Sequence, residues 1–71
     1  MTLYETVERN IRGRMAQLKL RPDDIYEQCG YTSAAGLRAR LRKAQGITIN
    51  DLDRMAKVLR TTPERLMERS I

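Results

Sequence analysis

Leu3, Val7, Ile11, Met15 and Leu18 recur at spacings of four, four, four and three residues. On a 3.6-residue helix this spacing draws a single apolar stripe. Such a stripe must be buried against other elements. The side chains available for that are aliphatic, since the chain has three Tyr and neither Phe nor Trp. A core of Leu, Ile, Val, Met and Ala suits helices. The helix is expected over residues 3–18. Thr2-x-x-Glu5 opens it as a capping box, and Glu5/Arg9 and Glu8/Arg12 stand in the favourable order for ion pairs four apart. The length of 71 residues implies one domain, residues 1–71, with a thin stability margin.

Four further segments follow, separated by single glycines and prolines. Pro22 can start a helix in its first turn. Asp23 and Asp24 supply negative charge there, and Gly30 stops it as a left-handed C′ glycine. That helix is expected at about 22–29, with Ile25, Cys29 and Tyr26 inward. Thr32 or Ser33 can cap the next, which is expected at about 33–44 and is closed by Gly46. Thr48-x-x-Asp51 resembles a second capping box, followed by Leu52, Met55, Ala56 and Leu59 at helical spacing, for a helix at about 49–60. Thr62-Pro63-Glu64 reads as N-cap, N1 proline and N2 acid. Leu66 and Met67 give the apolar side of a last helix at about 63–69. The expected fold class is all-α: a compact bundle of about five short helices with tight connections.

Composition excludes several classes. The chain has one Cys and no His, so neither a disulfide framework nor a multi-cysteine zinc site is expected. Triads built on His are excluded too. No cofactor, metal or catalytic residue is expected, and the chain is read as a non-enzyme. Apolar runs are too short to span a membrane, and the N-terminus MTLYETVERN has no signal-peptide core. A free thiol without an export signal points to a cytoplasmic setting.

The charge is unevenly placed. Fourteen Lys and Arg stand against nine Asp and Glu, for a net +5. Residues 1–31 balance to zero and residues 47–71 carry +1. Residues 32–46 hold Arg38, Arg40, Arg42 and Lys43 and no acid. A concentrated unpaired patch of this kind is the footprint of a polyanion binder. With Leu37 at 0° on a wheel of about 100° per residue, Leu41 falls near 40°, Ala44 near −20° and Ala34 near 60°, forming an inward side. Arg38, Arg42, Ala35, Ala39 and Lys43 fall at about 100° to 240°, leaving two alanines outward between basic flanks, with Arg40 on the other side. The short helix at 22–29, a glycine turn and this basic helix form a helix-turn-helix arrangement. The major groove, about 12 Å wide, admits such a helix, and arginine can bind guanine bidentately there.

From Ile11 to Met67 the chain resembles the Cro/repressor-type (lambda-repressor-like) helix-turn-helix family. The resemblance is carried by ITINDLDRMAKVLRTTPERLM at 47–67, LRPDDIYEQCG at 20–30 and SAAGLRARL at 33–41. It implies that the last of these enters the major groove of a double-stranded DNA operator. It also implies that dimers read pseudo-palindromic sites, and a homodimer formed only on DNA is the expected state. The size resembles phage Cro proteins, which implies a transcriptional repressor acting in a bacterial host cell. Three departures stand out. Pro22 occupies a place where the family often has a phosphate-touching glutamine, the turn between Gly30 and Ser33 is one residue longer, and Ala34 and Ala35 replace polar base readers.

The candidate DNA contacts are Ser33, Ala34, Ala35, Arg38, Ala39, Arg42 and Lys43, with Thr32, Tyr31 and Arg40 beside them. Arg38 is expected to read a base, and Arg42 or Lys43 to hold a phosphate. Gly36 inside this helix costs roughly 1 kcal/mol against alanine, which suggests close approach of a second backbone, either DNA or the preceding helix. Cys29 is expected as a buried core thiol. Met15, Met55 and Met67 are expected as core or dimer surface, and Asp23 and Asp24 as helix-start charges. Arg12 and Arg14 are expected to pair with Glu8 and Glu27, and Met67 and Ile71 to offer a small dimer contact. Two other readings are an antitoxin-type regulator, for which a tail longer than Ser70 and Ile71 would be expected, and a protein-interaction module of the same fold without DNA binding. The latter has no need of an acid-free helix.

Overall fold

In the computed structural model, which describes residues 2–69, Thr2 closes the first turn in both directions. Its Oγ1 accepts from the Glu5 N–H at 3.2 Å, and its own N–H donates to Glu5 Oε1 at 3.2 Å. These bonds hold the Glu5 carboxyl below its ordinary value, first through the Thr2 backbone and then through its side chain. Helix α1 runs Leu3–Gln17. The Glu8–Arg12 pair forms at 2.9 Å. The expected Glu5–Arg9 pair does not form, because the Glu5 carboxylate is already turned to the Thr2 N–H.

Helix α2, Pro22–Ile25, is shorter than the eight residues expected. Beyond Ile25 the chain loosens into a turn and then closes on Gly30 at φ 90°. There Gly30 N–H donates to Glu27 O at 3.0 Å and Tyr31 N–H to Tyr26 O at 2.9 Å, the paired bonds of a Schellman motif. Helix α3, Ala34–Arg42, is capped by Ser33, whose Oγ accepts from Gly36 N–H at 3.1 Å. It ends two residues early because Lys43 leaves the helical region and a 3-10 turn, Ala44–Gly46, follows. The turn carries Ala44 into the core, 4% exposed, against α1.

Thr48 caps α4, Ile49–Val58, by accepting from Asp51 N–H at 3.1 Å, and Thr62 caps α5, Pro63–Met67, by accepting from Arg65 N–H at 3.2 Å. Both helices stop two residues before their expected ends. α1 and α4 also finish in Schellman motifs, but with Lys19 and Arg60, each at φ 57°, where glycine is usual.

The architecture is an all-α bundle with no strand among the described residues. α1 packs on α5 and on the 3-10 turn, α2 on α3, and α4 on α5. Val7, Ile11, Met15, Ile25, Cys29, Leu37, Leu41, Leu52, Met55, Ala56, Leu59 and Leu66 meet in one core. α1 also closes two other helices. Arg14 does not pair with Glu27, as expected from sequence. It donates from Nε to Leu59 O at 2.8 Å and from Nη2 to Arg60 O at 3.1 Å, filling the open carbonyls at the end of α4. Asn10 Nδ2 does the same for α5, donating to Leu66 O at 2.8 Å and Glu68 O at 2.7 Å. No helix among the described residues is long and apolar enough to cross a membrane.

Candidate nucleic-acid interface

Two leucines orient α3. Leu37 and Leu41 are each 1% exposed, so the opposite side of the helix faces solvent. Ala35 and Ala39 lie open there, with Arg38, Arg42 and Lys43 exposed around them. Ala34 and Gly36 are half-buried at the near end, and Thr32 and Ser33 are exposed before the first turn. The structure therefore brings Ala35, Arg38, Ala39, Arg42 and Lys43 onto one surface. Ser33 stands at its edge with its oxygen engaged as the cap and its O–H free to donate. α3 is also the one α-helix with no acid in its first turn. Glu5, Asp23 with Asp24, Asp51 and Glu64 occupy that place in the others.

The four basic residues have separate surroundings. Arg38 Nη2 donates to Asp23 Oδ2 on α2 at 3.1 Å. This is the ion pair that joins two helices among the described residues, the other two being four apart within one helix. Arg42 borders a cleft of about 320 Å³ shared with Thr2, Tyr4, Glu5 and Glu8 at the start of α1. It makes no ion pair within 4.0 Å among the described residues, and neither does Lys43. Arg40 is half-buried and departs from the outward set. Its guanidinium lies over Gly46, where any added Cβ would meet it.

Tyr31 also turns away from the surface. Its ring packs against the core, and its hydroxyl is shut from solvent with the Arg40 side chain beside it. Burial pushes that hydroxyl above its ordinary value. Asp51 adds to the rise and Arg40 opposes it. Cys29, 1% exposed, is likewise pushed up by burial, with Asp51 adding. It is a protonated core thiol, as its position in the sequence suggests.

Gly36 answers a question its sequence leaves open. A Cβ there would meet only Ser33 Oγ at 3.5 Å and Tyr31 Cδ1 at 3.9 Å, which is ordinary contact. The backbone of α2 is not what requires glycine here.

Two basic residues outside the expected set stand at the helix-turn-helix segment. Arg54 of α4 lays its guanidinium over Gly30, the turn glycine, and Arg21 is exposed at the start of α2. Arg54 sits 24 positions from Gly30 in the chain, so no local pattern signals that contact. The sequence assigns Asp23 and Asp24 alike to helix-start charge. Asp24 performs the capping part of that role, accepting from Arg21 N–H at 2.9 Å, and Asp23 is left to face Arg38.

Comparison with protein-family models, with curated proteins and with solved structures gave no match.

Proposed function

We propose that this chain is a sequence-specific transcriptional regulator that binds double-stranded DNA, a Cro-like phage or prophage repressor, with α3 lying in the major groove. One observation carries the reading. α3 turns Leu37 and Leu41 fully inward and leaves Ala35 and Ala39, one turn apart, exposed between Arg38, Arg42 and Lys43. Small side chains let a helix backbone approach base edges, and alanine methyls can meet the thymine methyl. The basic residues around them suit guanine and phosphate. Residues 32–46 contain no acid, and Arg42 and Lys43 make no ion pair among the described residues, which favours a polyanion at that end of α3, while Asp23 faces the Arg38 end.

In this reading Arg38 reads a base, and Arg42 or Lys43 holds a phosphate. The chain binds rather than catalyses: it has no His, and its single thiol is buried and protonated. A homodimer formed on DNA belongs to the same proposal. Met67 on α5 is 38% exposed and available for it, whereas Ile71, its expected partner in that contact, lies outside the described residues. The setting is the cytoplasm, that of a bacterial host for a phage-encoded protein.

The test is a gel shift of the full chain against duplexes spanning the DNA that flanks its own gene, with random duplex as competitor. The proposal expects a discrete shift that survives excess random DNA on at least one flanking duplex. Absence of binding to flanking and random duplex at low salt would contradict it and favour a protein-interaction module.

A further inference from the structure

We infer that Asp23 is a specificity-determining positioning residue, holding the Arg38 guanidinium in one orientation so that its remaining donors are presented to a base. The inference rests on the DNA-binding reading of α3. Asp23 Oδ2 receives Arg38 Nη2 at 3.1 Å, with the two side chains 62% and 45% exposed. An ion pair that open to water adds little to stability, so its main consequence is for the orientation of Arg38. α2 does not need Asp23 as its cap, because Asp24 receives the Arg21 N–H.

The chemistry of the pair favours orientation. A guanidinium has five N–H donors in a rigid fork. One bond to Asp23 uses one donor and leaves enough for a bidentate contact to guanine O6 and N7. A free arginine must give up rotamer freedom to make that contact, and an arginine already held loses less. The carboxylate has a second effect. Placed beside the acid-free segment, Asp23 offsets the attraction of Arg38 for any nearby phosphate, a contact that carries no sequence information. The directional donors remain while the indiscriminate charge is reduced. Asp23 therefore raises discrimination and lowers affinity for random DNA.

The experiment selects binders from a duplex pool with a randomised central segment, using the full-length chain and its Asp23→Ala, Asp23→Asn and Arg38→Ala variants. Wild type is expected to enrich a guanine that Arg38→Ala no longer selects, with roughly a tenfold or greater loss of preference. Asp23→Ala is expected to lose roughly three- to tenfold of the preference at that same base, with random-duplex affinity raised. Asp23→Asn keeps an oxygen acceptor and is expected to fall between the two. An Asp23→Ala/Arg38→Ala double variant should lose no more than Arg38→Ala alone. Thermal melts of each variant establish that the bundle remains folded. The inference is overturned if Asp23→Ala keeps the wild-type preference, or if it weakens selected and random duplexes equally. If wild type enriches no sequence and binds no duplex, the DNA-binding reading fails, and the inference with it.

Discussion

Gly36 costs α3 helical stability without easing any contact inside the protein, since an added Cβ would meet only Ser33 Oγ at 3.5 Å and Tyr31 Cδ1 at 3.9 Å. Gly36→Ala should therefore stabilise the chain by about 0.5–1 kcal/mol in urea unfolding. If α3 lies deep in a groove, the same methyl weakens DNA binding, and a variant both more stable and less tightly bound is the expected outcome. A destabilised Gly36→Ala chain would show that α3 is tighter against its neighbours than this geometry allows. The two outward arginines separate in the same way. Arg38→Ala should cost about 1–3 kcal/mol on the preferred duplex and much less on random DNA. Arg42→Ala should weaken both alike and lower the salt slope by about one phosphate. Equal losses on both duplexes for Arg38→Ala would make Arg42 or Ser33 the better reader.

Helix starts were legible because each is local chemistry within four residues: Thr2 with Glu5, Ser33 with Gly36, Thr48 with Asp51 and Thr62 with Arg65. Helix ends were less so, because they are settled by distant partners. α3 stops where Ala44 is drawn into the core. The last carbonyls of α5 are met by Asn10, 56 and 58 positions away, and those of α4 by Arg14. Lys19 and Arg60 close α1 and α4 in the left-handed conformation with no glycine to announce it. The outward face of α3 followed from the Leu37–Leu41 wheel. The fates of Arg38, Arg40 and Arg54 did not, since Asp23, Gly46 and Gly30 reach them only through tertiary packing. α1 thus serves the bundle through polar residues as well as through its apolar stripe. Arg14→Ala would leave the carbonyls of Leu59 and Arg60 without these charged donors, at a cost of about 1–3 kcal/mol in denaturant unfolding. An unchanged midpoint would mean that water replaces the guanidinium there without loss.

At the scale of the whole molecule, stability and binding respond to different groups. Burial raises the Cys29 thiol above its ordinary value of 9.0, and the Tyr31 hydroxyl above 10.0. Each group then holds its proton more tightly folded than unfolded. Its contribution to stability is complete below the unfolded value and is lost as pH rises through the folded one. The melting temperature should therefore be insensitive to these two groups from pH 7 to 8 and fall as pH climbs past 9. Cys29→Ala should melt lower throughout but with a shallower alkaline decline, and an equal decline would exclude the thiol as a cause. In the proposed function, DNA binding depends instead on surface charge, with a net +5 of which residues 32–46 carry four. A salt titration of wild-type affinity for a duplex, repeated with an Arg42→Ala/Lys43→Ala double variant, reads out the phosphate contacts that DNA binding by α3 requires. If α3 meets a phosphate backbone through two to three contacts, affinity should fall by roughly ten- to fortyfold between 50 and 200 mM salt, and the double variant should lower the slope by about one to two of those contacts. A wild-type affinity flat across that range, or a slope the double variant leaves intact, would contradict DNA binding by α3.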